Sequence, residues 1–149
     1  MSCSSLLLVN VSEIVYNCAI FFWEATALAV KKLYNINGTV ETDPSLLDDY
    51  NSAAVFDRVH VGNAGVYYRD GLRTKFIPYS FPERAFIRVQ EVNVRTCCAN
   101  NSMFYFKLMF IKDGKEYGNI MSENESAMDR ALAAISEKAP QIAIGYQKN

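Results

Sequence analysis

The stretch "VYYRDGLRTKFIPYSFPERAFIRVQ", residues 66–90, decides the fold class of this 149-residue chain. Apolar and polar side chains alternate on both sides of Asp70-Gly71, and this dipeptide between alternating runs is a strong signal for a tight β-hairpin. Pro78 and Pro82 mark a corner, because proline has no N–H to donate to a central strand. The stretch therefore predicts three strands, over residues 66–69, 72–77 and 84–94.

The same period of two continues on both sides of this stretch. Residues 55–61 predict one preceding strand, and "CCANNS" predicts a loop after residue 96. Asp113-Gly114 predicts a second tight hairpin, which connects a strand over 103–111 to one over 115–121. On the strand over 103–111, alternation places four large side chains on the core side: Phe104, Phe106, Leu108 and Phe110. The chain therefore contains about six antiparallel strands, and "IAIGY" near the end predicts a short seventh.

A change to a period of 3.6 follows the last hairpin. Ser122 and Glu125 have the spacing of a capping box, which starts a helix. The apolar positions after them form one stripe, and Pro140 ends the pattern because proline interrupts helical hydrogen bonding. This segment predicts an amphipathic C-terminal helix that packs one face on the sheet.

The first third of the chain predicts a different kind of helix. Residues 12–34 are apolar nearly all round, so this helix is either buried in protein or placed in lipid. The run 14–30 is just long enough for a membrane anchor, with Lys31-Lys32 at its end. Glu24 inside the run argues against lipid, because a carboxylate is costly there. The favoured interpretation is a packing helix, either within the monomer core or at a homodimer seam.

These elements predict an α+β architecture with two parts. Residues 1–50 form a helical arm and a polar connector, with one short helical turn around 45–50, and residues 51–149 form the β-rich body. One helix cannot cover both faces of a flat six-stranded sheet. The economical arrangement is a strongly bent antiparallel sheet, or partly open barrel of six to seven strands, closed at one end by the C-terminal helix.

Three segments carry a resemblance to a known family: "GVYYRDGLRTKFIPYSFPERAFIRV", "KLMFIKDGKEYGNI" and "SENESAMDRALAAISEKAP". Over about residues 55–140 the chain resembles the bacterial pleckstrin-homology-like (PH-like) domains of unassigned function. The resemblance implies a PH-like barrel and a binding role. The loop "VGNAGV" carries no Lys or Arg, so it departs from the basic loop with which lipid-binding members of that fold hold phosphoinositides.

Composition and motifs exclude several function classes. The formal net charge is −1, which is far from the basic balance of most nucleic-acid-binding domains. The four cysteines have no disulfide-framework or metal-site spacing, which favours reduced thiols in the cytoplasm. His60 is the only histidine and alternates with valines in a predicted strand. No nucleotide, hydrolase or metalloprotease motif is present. We therefore expect no enzymatic activity and no cofactor or metal.

The remaining candidate for function is a basic and aromatic surface. Residues 58–95 carry seven basic residues against Asp70, Glu83 and Glu91. The predicted binding face comprises Arg69, Arg73, Lys75, Arg88, Tyr68 and Phe86. Such a surface suits an acidic protein partner. The sequence thus predicts a non-catalytic binding or scaffold module. Two alternatives are a cytoplasmic domain anchored by residues 14–30 and a cone-shaped α+β domain that binds a small ligand or is an unrecognised enzyme.

Overall fold

The computed structural model describes residues 32–96 and 99–146. Within these ranges the chain forms two helices, α1 (Pro44–Ser52) and α2 (Glu125–Lys138). The strands of its first half are β1 (Leu33–Asn35), β2 (Val40–Glu41), β3 (Ala54–Phe56), β4 (Val59–Val61), β5 (Gly65–Asp70) and β6 (Arg73–Pro78). Those of its second half are β7 (Arg84–Thr96), β8 (Ala99–Lys112), β9 (Lys115–Ser122) and β10 (Ala143–Ile144).

The ten strands form two separate sheets. The first has six strands in the order β2-β1-β6-β5-β4-β3, and the second has four in the order β10-β7-β8-β9. Most neighbours are antiparallel, but β1 runs parallel to β6 and β10 runs parallel to β7. Both sheets of the described residues are therefore mixed.

Helix α2 lies where the two sheets meet. It contacts β3 and β4 of the first sheet and β7, β8 and β10 of the second. Its buried stripe comprises Ala127, Met128, Ala131 and Ile135. The same core cluster takes in side chains from both sheets: Val59, Val61, Val66, Tyr68, Ile77, Tyr79, Ala85, Leu108, Phe110 and Ile120. One amphipathic helix thus supplies apolar cover to two sheets at once.

The predicted barrel of six to seven strands is wrong: the described residues form two mixed sheets and no closed barrel. A single bent sheet or barrel would require the strand after the proline corner to continue the sheet of the strand before it. Instead β6 takes β1 as its second neighbour, so β7 begins a new sheet. The corner stays attached to the first sheet, because the Tyr79 hydroxyl donates to the carbonyl oxygen of Gly62 at 2.7 Å and the Tyr79 amide donates to that of Ala64 at 3.4 Å.

The end of the predicted N-terminal helix is also corrected. Leu33 and Tyr34, expected to end that helix, lie instead in strand β1, where Leu33 is fully buried. Residues 12–31 lie outside the described residues, so the helix and the anchor at 14–30 stay predictions. None of the helices in the described ranges has the length and hydropathy needed to cross a membrane.

Several local predictions are confirmed and others shift. Both Asp-Gly hairpins form, α1 covers the predicted helical turn and extends it, and the short last strand is present. The predicted single strand over 55–61 is instead the hairpin β3–β4, because Asp57 adopts φ 53° and reverses the chain. The cap of α2 is Asn124, whose side chain accepts from the amide of Ala127 at 3.0 Å, and not Ser122. Strand β8 begins at Ala99, so residues 99–102 of the predicted loop belong to a strand instead.

Candidate interaction surface

The paired strands β7 and β8 extend past the rest of their sheet. Strand β9 pairs with β8 only from Phe106 onward, and β10 pairs with β7 only at Arg84 and Ala85. Residues 90–96 and 99–105 pair with each other and, among the described residues, with no third strand. We call these two segments the β7–β8 ribbon. Within the described ranges, both of its outer edges leave backbone N–H and C=O groups without a strand partner.

An apolar row of core side chains continues along one face of β7 and β8 into the ribbon, where it becomes exposed to solvent. Directly opposed residues share a face, and on this face the pairs are Ile87 with Leu108, Val89 with Phe106, and Glu91 with Phe104. Leu108 is fully buried, whereas Val89 is 56% and Phe104 53% exposed. The prediction that Phe104 faces the core is therefore right about the face and wrong about burial. Helix α2 and the first sheet therefore do not extend far enough along β7 and β8 to cover Val89 and Phe104.

The opposite face of β7 contradicts a second expectation. Phe86, predicted to point outward beside Arg88, is only 2% exposed. The ring of Tyr146, just after β10, lies 5.2 Å from the Phe86 ring and covers it. Further along the same face Met103 is 37% exposed. Each face of the β7–β8 ribbon therefore presents apolar area that these elements leave uncovered.

The six residues predicted to form one basic and aromatic face lie in two different sheets. Tyr68, Arg69, Arg73 and Lys75 belong to the β5–β6 hairpin of the first sheet, and Phe86 and Arg88 belong to β7 of the second. Tyr68 is buried, at 4% exposure, whereas Arg69 and Arg73 are exposed. The structure therefore does not bring the six together on one strand pair, and their role in binding stays a prediction.

Three of the predicted cations have partners within the chain. The Lys75 ammonium lies 2.6 Å from the Asp70 carboxylate, and the Arg73 guanidinium lies 5.1 Å from the centre of the Tyr34 ring. Arg88 donates through both terminal nitrogens to the two carboxylate oxygens of Glu116. Hydrogen bonding to Glu116 raises the pKa of Arg88. Intramolecular partners reduce the charge that these side chains offer to an acidic partner.

A polar network that the sequence did not reveal joins α1 to the β4–β5 turn. The Asp49 carboxylate accepts hydrogen bonds from the amides of Asn63 at 2.7 Å and Ala64 at 2.9 Å, and from the Tyr67 hydroxyl at 2.6 Å. Burial alone raises the pKa of Asp49, but these hydrogen bonds and the nearby Lys138 outweigh burial and lower it below its ordinary value. In the sequence, Asp49 is marked only as one of two adjacent acids in the polar connector, which does not identify its partners.

The same network engages the C-terminal end of α2. The Lys138 ammonium donates to the Val61 carbonyl at 3.3 Å and to the side-chain oxygen of Asn63 at 3.2 Å. A Cβ placed on Gly62 would overlap the Asp49 carboxylate, so only glycine fits at this close approach. Helix α1, the turn and α2 are thus fastened to one another. Each member of the network has its partners satisfied, which is typical of a structural role.

The lone histidine has a packing role in this region. The His60 ring stacks on Tyr50 with centroids 4.8 Å apart, and Tyr50 contacts Tyr67 edge to face at 5.5 Å. Burial lowers the pKa of His60, which favours the neutral ring at physiological pH. No group of three or more His, Cys, Asp or Glu side chains in residues 32–96 and 99–146 is placed to hold a metal ion.

One cavity of about 250 Å³ lies at the start of α2. Its lining comprises Asp57, Arg58, Tyr105, Met121, Ser122, Glu123 and Asn124. The Ser122 hydroxyl donates to the Asp57 carboxylate, and Asn124 is already used as the helix cap. Two carboxylates and one guanidinium give this cavity no single sign of charge. Its lining therefore does not favour a ligand of one charge sign.

Fold and surface together define the class of this protein: a sheet-rich domain in which two mixed sheets share one helix and one long pair of strands extends past its sheet. The chain belongs to the family described as Domain of unknown function (DUF6709), whose model matches residues 29–149, more than half of the chain. Comparison with curated proteins and with solved structures finds no match. The resemblance to PH-like domains is not retained, because the barrel it implied is absent from the described residues.

Proposed function

We propose that this protein is a non-catalytic protein-interaction module that binds its partner along the β7–β8 ribbon. The observation that carries the proposal is that, in the part of the chain that the structure describes, both ribbon edges have no third strand and lie next to an exposed apolar row. An isolated two-stranded ribbon is marginally stable in water, and it gains stability when a further strand or an apolar surface covers it. An exposed strand edge is also the element to which extended peptides add as an extra strand.

The apolar row provides the energy for such binding. Val89 and Phe104 keep 56% and 53% of their surface exposed. Since full burial of a side chain of this size is worth roughly 1.5–3 kcal/mol, covering the exposed half of each is worth about 1 kcal/mol. Backbone hydrogen bonds along the ribbon edge would fix the direction and the register of the bound segment. The expected partner therefore contributes an extended, partly apolar segment.

The proposal keeps the cytoplasmic location that the cysteine spacing favours, and it needs no cofactor. It does not use the predicted acidic partner, because Lys75 and Arg88 already pair with Asp70 and Glu116. The three features that support it are the ribbon pairing, the exposure of its apolar row and the position of that row next to the core.

The test places a photoreactive phenylalanine analogue at one position of the full chain and irradiates cells that produce it. Phe104 is the test position, and Leu72 is the matched control, because Leu72 is 98% exposed on the hairpin of the other sheet. We expect cross-linked products of defined mass from position 104 and none of them from position 72. The proposal is refuted if position 104 gives no product, or if both positions give the same products.

A further inference from the structure

We infer that the partner of the β7–β8 ribbon is a second copy of this chain, joined by antiparallel pairing of the two outer β8 edges. This inference rests on the proposed function, and it names the partner. It differs from a dimer seam in the N-terminal segment, since it uses only residues of β8.

The outer edge of β8 has the charge pattern that self-pairing requires. Residues 99–106, "ANNSMFYF", contain no charged side chain. In a two-fold antiparallel pair each edge meets its own copy, so a charged edge would bring like charges close together. An uncharged edge avoids this repulsion in every register. Natural edges that must stay unpaired usually carry charges or bulges.

The other strand edges of the described residues show such protection. Strand β9 carries Lys115 and Glu116 and is interrupted by a bulge, where Gly118 and Asn119 both adopt positive φ. The outer edge of β7 beyond β10 is long but carries Arg88 and Glu91. The other edge strands, β2, β3 and β10, have only two or three residues each. The β8 edge is therefore the longest uncharged edge in the part of the chain that the structure describes.

The geometry also selects a register. The free edge is bounded by residue 99 at one end and by Phe106, where β9 begins to pair, at the other. A two-fold axis at Ser102 pairs all of 99–105 with the same residues of the copy. Even-numbered residues of one copy then lie opposite even-numbered residues of the other. Since directly opposed residues share a face, the apolar faces of both ribbons lie on the same side of the combined sheet. Phe104 of each copy is then flanked by the strand of the other.

The test measures the oligomeric state of the full chain by size-exclusion chromatography with light scattering over a range of concentrations. The variants are Ser102→Lys and Ser102→Glu, which place like charges opposite each other at the axis. The matched control is Leu72→Lys, which adds the same charge on the other sheet. Far-UV circular dichroism confirms that each variant is folded.

We expect a dimer whose dissociation constant rises about fivefold in each Ser102 variant, from a like-charge pair worth about 1 kcal/mol. An equimolar mixture of the two Ser102 variants should restore dimerisation to the original level or above, because the opposed charges are then complementary. Leu72→Lys should leave the dimer unchanged. If the Ser102 variants weakened the dimer only by disturbing the local structure, mixing the two variants would not restore dimerisation.

Two results overturn the inference. One is a monomer at all concentrations, and the other is a dimer that the Ser102 variants and their mixture leave unchanged, which places the seam elsewhere. Neither result overturns the proposed function, since photoproducts from position 104 with other proteins would then identify a different partner. Loss of every product at position 104 would refute both.

Discussion

Removal of the Asp49 carboxylate tests the polar network that fastens α1 to the β4–β5 turn. In Asp49→Ala three donors lose their acceptor: the amides of Asn63 and Ala64, and the Tyr67 hydroxyl. The two amides are exposed and can hydrogen-bond to water instead, so the loss of their bonds to Asp49 costs little. Tyr67 is fully buried, and a buried hydroxyl without a partner costs about 1–3 kcal/mol. Adding the loss of charge-assisted bonds, we expect a decrease of about 2–4 kcal/mol in the free energy of unfolding.

The assay is urea unfolding at pH 7 followed by far-UV circular dichroism. With a slope near 2 kcal/mol per molar, the midpoint should fall by about 1–2 M. Asp48→Ala is the matched control, because Asp48 is an exposed acid on the same helix, and it should change stability by less than about 0.5 kcal/mol. In the double variant Asp49→Ala/Tyr67→Phe the cost should be less than additive, since no buried hydroxyl is left unpaired.

The same comparison has a defined pH dependence. The pKa of Asp49 is lowered in the folded protein, so its contribution is fully present above the ordinary carboxyl pKa and is lost as pH falls below it. The difference between the original protein and Asp49→Ala should stay constant from pH 7 to pH 5 and narrow below about pH 4. Equal stability of the Asp48 and Asp49 variants at pH 7 would show that the network contributes nothing.

Two further predictions concern the same half of the molecule. Burial lowers the pKa of His60, so the free energy of unfolding should be highest above the ordinary pKa of 6.5 and should fall as the pH drops from 7.5 to 5.5. His60→Gln should flatten this pH dependence. If the slope of stability against pH is unchanged in His60→Gln, His60 is not its source. Gly65→Ala should cost at least about 2 kcal/mol in thermal unfolding, because the new Cβ would overlap the backbone carbonyl of Ile77, which cannot move aside. In Gly71→Ala the new Cβ has open space and only the backbone strain of φ 61° remains, so the free energy of unfolding should fall by about 1 kcal/mol. Equal losses of stability in Gly65→Ala and Gly71→Ala would contradict the overlap argument.

The local elements of this fold follow from the sequence because each depends on neighbours in the chain. Asp70-Gly71 and Asp113-Gly114 specify their hairpins through turn geometry alone. The final helix follows from its apolar stripe and the proline behind it. The hairpin at Asp57 was missed because Asp57-Arg58 lacks the glycine that marks the other two turns, although Asp57 adopts the left-handed φ of 53°.

The candidate surface was only partly predictable for the same reason. Alternation assigned Phe104 to the apolar face, but it cannot tell where along a strand the cover of that face ends. It likewise placed Phe86 outward, and the residue that covers it, Tyr146, is far away in the sequence. Burial depends on which elements lie above a strand, so it is a property of the assembled sheets.

The sequence by itself thus determined the hairpins, the amphipathic helix and the alternation of faces, since these depend on interactions within a few residues. Only the tertiary structure decided that Leu33–Asn35 would take the edge of β6, divide the strands into two sheets and leave the β7–β8 ribbon extending past its neighbours. The physical reason is that strand pairing between distant segments is a competition for one edge. Its outcome depends on the total burial gained, which no local pattern encodes.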